Sequence, residues 1–213
     1  MDNKYGSPLT RDGALGYEQD LQGLTAKACD IADLLTGVSV AADKGKAGLP
    51  SINAVYLSAT GGEIKAVATD RYRLIAGTIA TETEAELARS PISLVDVKNI
   101  LAAIKACKGA GEITFTRAGD SLSVAIGGTS LTISLVQGGV FPPYEHLIPV
   151  EPVAVEGIAF NPSYMADFGK VPTSNKSGAM LKAQFAGEGK PIKVTIPHDS
   201  IEWVALLMPM RTK

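Results

Sequence analysis

The chain repeats one order of hydrophobicity patterns, in which a helical pattern is followed by three strand patterns. Residues 25–38 carry apolar side chains at three- and four-residue intervals, which predicts an amphipathic helix. Thr25 is placed to cap this helix, and Gly37 is placed to end it. The segments that follow alternate apolar and polar residues, which predicts strands at 51–59, 63–69 and 72–80.

The same order recurs in the middle of the chain. Residues 93–107 predict a second helix, because Leu94, Val97, Leu101 and Ile104 follow the spacing of one helical face. Gly-containing turns separate the alternating segments after it, as in tight hairpins. Three more strands are predicted there, at 112–118, 121–127 and 130–137.

A third segment is predicted to open with a strand at 152–160. The helix after it, in 161–171, has Asn161 as its N-cap and Pro162 at its first position. Strands are then predicted at 179–187, 190–196 and 202–210. This repetition predicts an α+β fold of helix-plus-antiparallel-sheet half-units, each of which needs neighbours to cover its apolar faces.

Composition and charge narrow the class of protein. Of the 213 residues, 46% are hydrophobic and 20% are charged, as in a folded globular protein. No apolar run approaches the roughly 18–20 residues of a membrane span, and the polar N-terminal stretch does not resemble a signal peptide. We therefore expect a cytoplasmic protein without a membrane partner. The net charge is −2, whereas a protein that holds DNA tightly usually has a surplus of positive charge. If this chain binds a nucleic acid, it must use a local basic surface or bind it loosely.

The sequence shows no catalytic constellation. His146 and His198 lie beside prolines or in turns and are interpreted as exposed loop residues. Cys29 and Cys107 fall in predicted helices without metal-ligand spacing, so we interpret them as reduced core residues. Asp70 has no nucleophile or metal cluster near it in sequence. We expect no catalytic residue, no metal and no cofactor, and an enzyme of unknown type remains a remote alternative.

Four short stretches resemble motifs of one protein family, the bacterial sliding clamps (the beta subunit of DNA polymerase III). They are VATDRYRLI at 67–75, FPPYEHLIP at 141–149, FNPSYMADF at 160–168 and LLMPMR at 206–211. Each match alone is weak, but all four occur in the order of the family. The resemblance covers the chain from about residue 21 to its C-terminus.

The resemblance implies a ring of repeated half-units, with helices lining the central hole and sheets forming the outer wall. Duplex DNA passes through such a ring, which tethers a polymerase to its template. The implied organisation is a flexible leader at 1–20, a complete middle-type clamp domain at 21–149 and the closing half of a last-type domain at 150–213. The shortened length resembles a phage-like form.

The resemblance also implies a groove between the two domain types, in which partner proteins insert short hydrophobic peptides. Methionine adapts to several ligands and arginine offers a fork of donors, which suits this use. The alternative for these residues is structural: an arginine pair that caps a sheet edge and a buried methionine strand. By matched position the groove residues are Ile52, Thr69, Arg71, Tyr72, Arg73, Leu74, Pro149, Asn161, Tyr164, Leu207, Met208, Pro209 and Met210.

Four lysines are candidates for the DNA-facing side. Lys98 and Lys105 are seven residues apart, so they lie on one side of the second helix. Lys27 and Lys170 are candidates on the other two helices, where Asp30, Asp33 and Asp167 accompany them. The alternative is that all four are ordinary solvated lysines.

Two binding roles remain open. The first is a processivity clamp that encircles DNA, and the second is a clamp-derived decoy or adaptor that binds partner peptides without encircling DNA. The expected partners are duplex DNA, bound without sequence preference, a polymerase and other clamp-binding peptides. The sequence leaves open whether a clamp loader takes part. The resemblance implies a closed ring of twelve half-units. Because this chain offers three, we expect a homotetramer, with a trimer as the second choice.

Overall fold

The computed structural model describes residues 23–45, 47–174 and 180–211, so the predicted leader at 1–20 lies outside the described residues. Three α-helices occur in this part of the chain: α1 (Ala28–Ser39), α2 (Leu94–Ala106) and α3 (Pro162–Phe168). The strands, in chain order, are β1 (Leu24–Lys27), β2 (Ala54–Thr60), β3 (Glu63–Thr69), β4 (Arg73–Ala80), β5 (Leu87–Ser93), β6 (Glu112–Ala118), β7 (Ser121–Ile126), β8 (Thr129–Ser134), β9 (Lys182–Gln184), β10 (Ile192–Ile196) and β11 (Glu202–Leu207).

These strands form two antiparallel sheets. One has four strands in the order β1-β6-β7-β8, and the other has seven in the order β5-β2-β3-β4-β11-β10-β9. β11 pairs with β4, so the last three strands extend the sheet of the first half-unit. We call the line along which β4 and β11 pair the seam.

The predicted order of one helix followed by three strands occurs three times, which agrees with the sequence. Two strands were not predicted. β1 pairs with β6 of the second half-unit, and β5 pairs with β2 of the first. The first two half-units therefore exchange their opening strands, and this exchange makes them one body.

The main hydrophobic core lies between the two sheets and the helices. Both sheets turn one face toward α1 and α2, and we call this the inner face. The largest fully buried side chains of this core include Trp203, Phe115 and Phe168, which come from β11, β6 and α3. Ile31 and Leu34 of α1 lie in the same cluster, so all three half-units contribute to one core.

A second, smaller cluster lies on the opposite, outer face of the seven-stranded sheet. Phe141 and Tyr144 pack there against Tyr56, with ring centroids 4.5 Å apart for Tyr56 and Phe141. Burial, with the Glu145 carboxylate beside it, raises the pKa of Tyr144 to about 12. The FPPY stretch therefore anchors the connecting segment to the outer face of the sheet.

Local signals explain two helix starts. Ser93 Oγ accepts the backbone N–H of Asp96 at 3.1 Å and caps α2. Asn161 Oδ1 accepts the N–H of Ser163 at 2.9 Å and caps α3, with Pro162 at the first position as predicted. α1 begins without a side-chain cap, because Thr25 lies in β1 and its hydroxyl bonds that of Thr114.

Two sequence predictions in this region are wrong. Gly37 does not end α1 but lies inside it, buried against Trp203. Residues 152–160 do not form a strand. Within the described residues they make one β-bridge, between Ala159 and Met210, and the Val153 N–H donates to the Phe185 carbonyl at 2.8 Å. Alternation alone predicted that strand, but a strand also requires a partner along its length.

Candidate functional site

The predicted groove residues gather around the seam, where the two predicted domains meet. Across the seam Leu74 lies opposite Leu206, and Arg73 lies opposite Leu207. One step beyond β11, the Met208 N–H donates to the Tyr72 carbonyl at 2.8 Å. The C-terminal stretch is therefore fixed beside the turn between β3 and β4, as the resemblance implied for the two sides of a groove.

Hydrogen bonds define the β3–β4 turn. Thr69 Oγ1 donates to the Arg73 carbonyl at 2.7 Å and accepts the Arg71 N–H at 3.1 Å. Asp70 Oδ1 accepts the N–H groups of Tyr72 at 3.0 Å and Arg73 at 2.9 Å. The turn holds Arg71 at a φ of 75°, a left-handed conformation that costs a residue with a Cβ about 1–2 kcal/mol.

Arg73 is buried inside the molecule and does not reach solvent. Its side chain is 7% exposed, and its Nε lies 3.0 Å from Asp70 Oδ2. Its Nη1 donates to Asp167 of α3, and its guanidinium carbon lies 4.7 Å from the centroid of the Tyr164 ring. Arg73 therefore ties the β3–β4 turn to α3, and its burial leaves little of its side chain open to a ligand.

Asp167 and Tyr164 complete this connection. Hydrogen bonds from Lys170 and Arg73 hold the pKa of Asp167 below its ordinary value of 3.8. The rings of Tyr72 and Tyr164 are stacked, with centroids 5.9 Å apart. The stack and the ion pair fix α3 against the turn, although the two sides are far apart in sequence.

The predicted groove residues do not share one face of the sheet. Leu74 points to the outer cluster, and so does its partner Leu206, which the sequence analysis missed. Leu207 is fully buried in the inner core. Side chains alternate between the two faces along β11, so Leu206 and Leu207 point to opposite faces. Leu206 shares the outer face with Leu74, its partner on β4, and the pairing of the two strands is the signal that would have identified it.

Three surface cavities are lined by predicted groove residues. The turn cavity, of about 450 Å³, lies between the loop after α1, the β3–β4 turn and α3, and its lining includes Lys44, Arg71, Tyr72 and Tyr164. The linker cavity, of about 610 Å³, includes Pro149, Val150 and Lys190. The tail cavity, of about 810 Å³, includes Glu156, Glu188, Met208, Pro209 and Met210.

The remaining predicted groove residues take supporting positions. Ile52 is 3% exposed, and Thr69 is 5% exposed and occupied by the turn. Asn161 caps α3. By contrast Tyr72, Met208 and Met210 are 54%, 38% and 57% exposed, which is high for large apolar residues. These three supply the apolar surface that a ligand at the seam would contact.

Three of the four candidate DNA-facing lysines have no ion-pair partner among the described residues. Lys98 and Lys105 are exposed on the solvent side of α2, and Lys27 is exposed at the start of α1. Lys170 Nζ lies 2.5 Å from Asp167 Oδ1, so its charge is partly neutralised. Facing DNA remains a prediction for all four residues.

The other reactive side chains also differ in part from expectation. His146 is exposed, but the His198 side chain is only 8% exposed and its Nδ1 accepts the N–H groups of Ser200 and Ile201, both at 3.2 Å. Cys29 is exposed and Cys107 is half-buried, so neither is a core residue.

In the described ranges, His, Cys, Asp and Glu form no group of three placed to hold a metal ion. None of the helices described there is long and apolar enough to cross a membrane.

Comparison with known proteins gives a uniform result at the level of the fold. No family model matches the sequence, and no curated protein matches it. The beta subunit of DNA polymerase III from Thermotoga maritima superposes with a TM-score of 0.73 at 17% identity, over 90% of this chain and 66% of that one. The Pseudomonas aeruginosa sliding clamp bound to griselimycin gives 0.74 at 15% identity, over 97% and 68%, and the Bacillus subtilis clamp gives 0.70 at 16%, over 92% and 66%.

The chain therefore has the sliding-clamp fold, as its four motifs implied. It spans about two thirds of the length of the clamps that it matches. The α+β architecture of repeated half-units is confirmed. The assignment of the two parts to a middle-type and a last-type domain remains a prediction.

Proposed function

We propose that this chain, with its sliding-clamp fold, acts as a processivity clamp. In this role it encircles duplex DNA and tethers a polymerase through a peptide-binding groove at the seam. The role is one of binding, with no catalytic step. The observation that carries the proposal is the match over 90% of the chain to a DNA polymerase III beta subunit, with the helices gathered on one side of the sheets.

The seam supports the peptide-binding part of the proposal. Tyr72, Met208 and Met210 are exposed there, and the bond from Met208 to Tyr72 keeps two of them side by side. A short peptide with a glutamine and a hydrophobic pair would bury this apolar surface. A few such anchor contacts supply most of the affinity of small interfaces.

The DNA-binding part rests on the helix side of the molecule. Lys98 and Lys105 are exposed on the same side of α2 and can contact phosphates loosely. Phosphate contacts carry no sequence information and weaken with salt, which suits a protein that slides. A ring can retain DNA by enclosure even when each contact is weak.

The proposed assembly is a ring of several copies of this chain. Edge strands β8 and β9 have a free side within the described part of the chain, and free strand edges pair readily. Three half-units per chain favour a homotetramer over a trimer. Light scattering distinguishes the two assemblies by mass. Because one chain has a mass of 22.2 kDa, a tetramer would give about 89 kDa and a trimer about 67 kDa.

The charge distribution favours a second candidate function, a decoy or adaptor that binds partner peptides but does not encircle DNA. The net charge is −2, and one of the four candidate lysines pairs with Asp167. The two functions differ in one observable. A clamp is retained on closed circular duplex DNA and released when the circle is cut, whereas an adaptor binds partner peptides and is retained on neither form.

A further inference from the structure

Arg71 occupies a position that its own turn does not favour. The hydrogen bonds of Thr69 and Asp70 fix the β3–β4 turn through backbone N–H groups, so they hold the φ of 75° whichever residue stands at position 71. Glycine adopts this conformation without steric cost, whereas arginine does not. The chain therefore carries an arginine side chain where local stability favours none, and such outliers point to a functional use.

No neighbour within the described residues uses the Arg71 side chain. Three carboxylates line the turn cavity. Asp70 and Asp167 are both bonded to Arg73, and Lys170 takes the remaining oxygen of Asp167. Asp43 Oδ2 accepts the Ala47 N–H at 3.1 Å. The Arg71 side chain is exposed and makes no hydrogen bond or ion pair within the described ranges. Its donors are thus free for a group from outside the chain.

We propose that Arg71, together with Lys44 across the turn cavity, selects partner peptides that carry an acidic residue beside their hydrophobic anchors. The inference rests on the proposed peptide-binding function. Lys44 also lines the cavity, is exposed and is unpaired in the described part of the chain. A carboxylate placed between the two cations would gain charge-assisted hydrogen bonds, and the guanidinium fork matches its geometry.

The surroundings favour a peptide over DNA as the source of the anion. Asp43, Asp70 and Asp167 also line the turn cavity, so a chain of closely spaced phosphates would meet repulsion there. A peptide can place a single carboxylate between Arg71 and Lys44. Tyr72 extends from this cavity to Met208, so the same peptide can reach the apolar surface at the seam.

The test uses fluorescein-labelled peptides of nine residues that contain one Gln and a Leu–Phe pair. One set carries a single Asp at each remaining position in turn, and the matched set carries Asn. At one or more positions we expect the Asp peptide to bind the wild-type protein about three- to tenfold more tightly in fluorescence anisotropy. In Arg71→Gln this preference should disappear, while the Asn peptides bind within about twofold of wild type.

Two further variants make the result specific. Arg71→Gly relieves the left-handed conformation, so it should unfold at a higher temperature than wild type and yet lose the Asp preference. Lys65→Gln removes one positive charge from β3, four residues before Thr69 and outside the lining of the turn cavity, and it should keep the preference. A purely structural role for Arg71 predicts the opposite stability change for the glycine variant.

The outcomes separate the inference from the function on which it rests. Equal binding of Asp and Asn peptides at every position overturns the acidic selection while peptide binding stands. An Asp preference that survives in Arg71→Gln, with weakened binding of duplex DNA, assigns Arg71 to DNA and also overturns it. If no peptide of either set binds, the proposed groove function fails and the selection fails with it.

Discussion

Trp203 of β11 lies directly against Gly77 of β4, its pairing partner across the seam. A Cβ at Gly77 would lie 2.5 Å from Cζ3 of the indole ring, closer than real contacts allow. Gly37 of α1 meets the same ring, since a Cβ there would lie 2.3 Å from Cη2. The last half-unit is therefore joined to the first by an indole ring that two glycines accommodate.

This contact predicts that Gly77→Ala destabilises the protein. The added methyl must displace the indole ring or the strand, and overpacking of a core costs about 1–3 kcal/mol. Urea unfolding followed by tryptophan fluorescence measures the loss, since Trp203 is the single tryptophan of the chain. Gly157→Ala is the matched control, because a Cβ there meets nothing within 4 Å. Equal stability of the two variants would mean that the ring does not fit as described.

The ion pair between Arg73 and Asp167 predicts a pH-dependent contribution to stability. The pKa of Asp167 is lowered in the folded state, so its contribution is fully present above its unfolded pKa and is lost as pH falls through its folded pKa. Asp167→Asn should therefore lower the free energy of unfolding by up to about 1 kcal/mol at pH 7. The difference from wild type should shrink below a pH of about 4.

Asp120→Asn is the control for this measurement, because the Asp120 carboxylate is exposed and unpaired within the described residues. Urea titrations at several pH values compare the three proteins. A wild-type advantage over Asp167→Asn that stays constant into strong acid would show that the carboxylate charge does not stabilise the junction with α3.

The exposure of Met208 and Met210 beside the seam predicts that their side chains contribute strongly to peptide binding. Removal of both side chains in the double variant Met208→Ala and Met210→Ala deletes two exposed apolar anchors and keeps the backbone bonds to Tyr72 and Ala159. We expect the dissociation constant of a Gln- and Leu–Phe-containing peptide to rise more than about tenfold. Met180→Ala, equally apolar and 75% exposed elsewhere, should leave it unchanged. Undiminished binding by the double variant would show that Met208 and Met210 are not part of the peptide-binding groove.

The lysines of α2 predict a change in salt dependence. Replacement of Lys98 and Lys105 by Ala should weaken association with duplex DNA and reduce the slope of log K against log salt by roughly 2. Sequence preference should not change, because phosphate contacts carry none. Lys65→Ala is the control, since alternation along β3 places Lys65 with Val67 on the outer face. An unaltered slope in the double variant would mean that α2 does not face DNA.

The sequence predicted the long amphipathic elements well and the short paired ones poorly. α2 and strands β2 to β4 carry clear periodicity, so their patterns sufficed. β1 has four residues and runs directly into α1. β5 contains Pro91, which an edge strand tolerates but which weakens the strand pattern in the sequence. The strand predicted at 152–160 is wrong for the opposite reason. These residues alternate as in a strand, but in the described part of the chain they have almost no strand partner.

At the site, the resemblance to the clamp motifs named the residues by matched position but did not give their partners. The structure places Arg71 and Tyr72 in the turn before β4, beside the seam. Nothing local could assign Arg73 to Asp167, because the two residues are 94 positions apart. Thr69 and Asp70 impose a turn geometry that separates the two arginines. Arg73 is buried and paired, whereas Arg71 is exposed and has no partner in the part of the chain that the structure describes.

Retention on circular DNA tests whether the protein encloses duplex DNA. The protein is assembled on closed circular duplex DNA at low salt, and the complex is passed over a sizing column at about 150 mM salt, where unenclosed phosphate contacts are weak. A clamp is expected to stay with the circle, to leave after a single cut and to stay again when the cut ends are blocked by bound protein. Equal loss from the circular and linear forms, by protein that still binds partner peptides, would contradict the clamp and leave the adaptor.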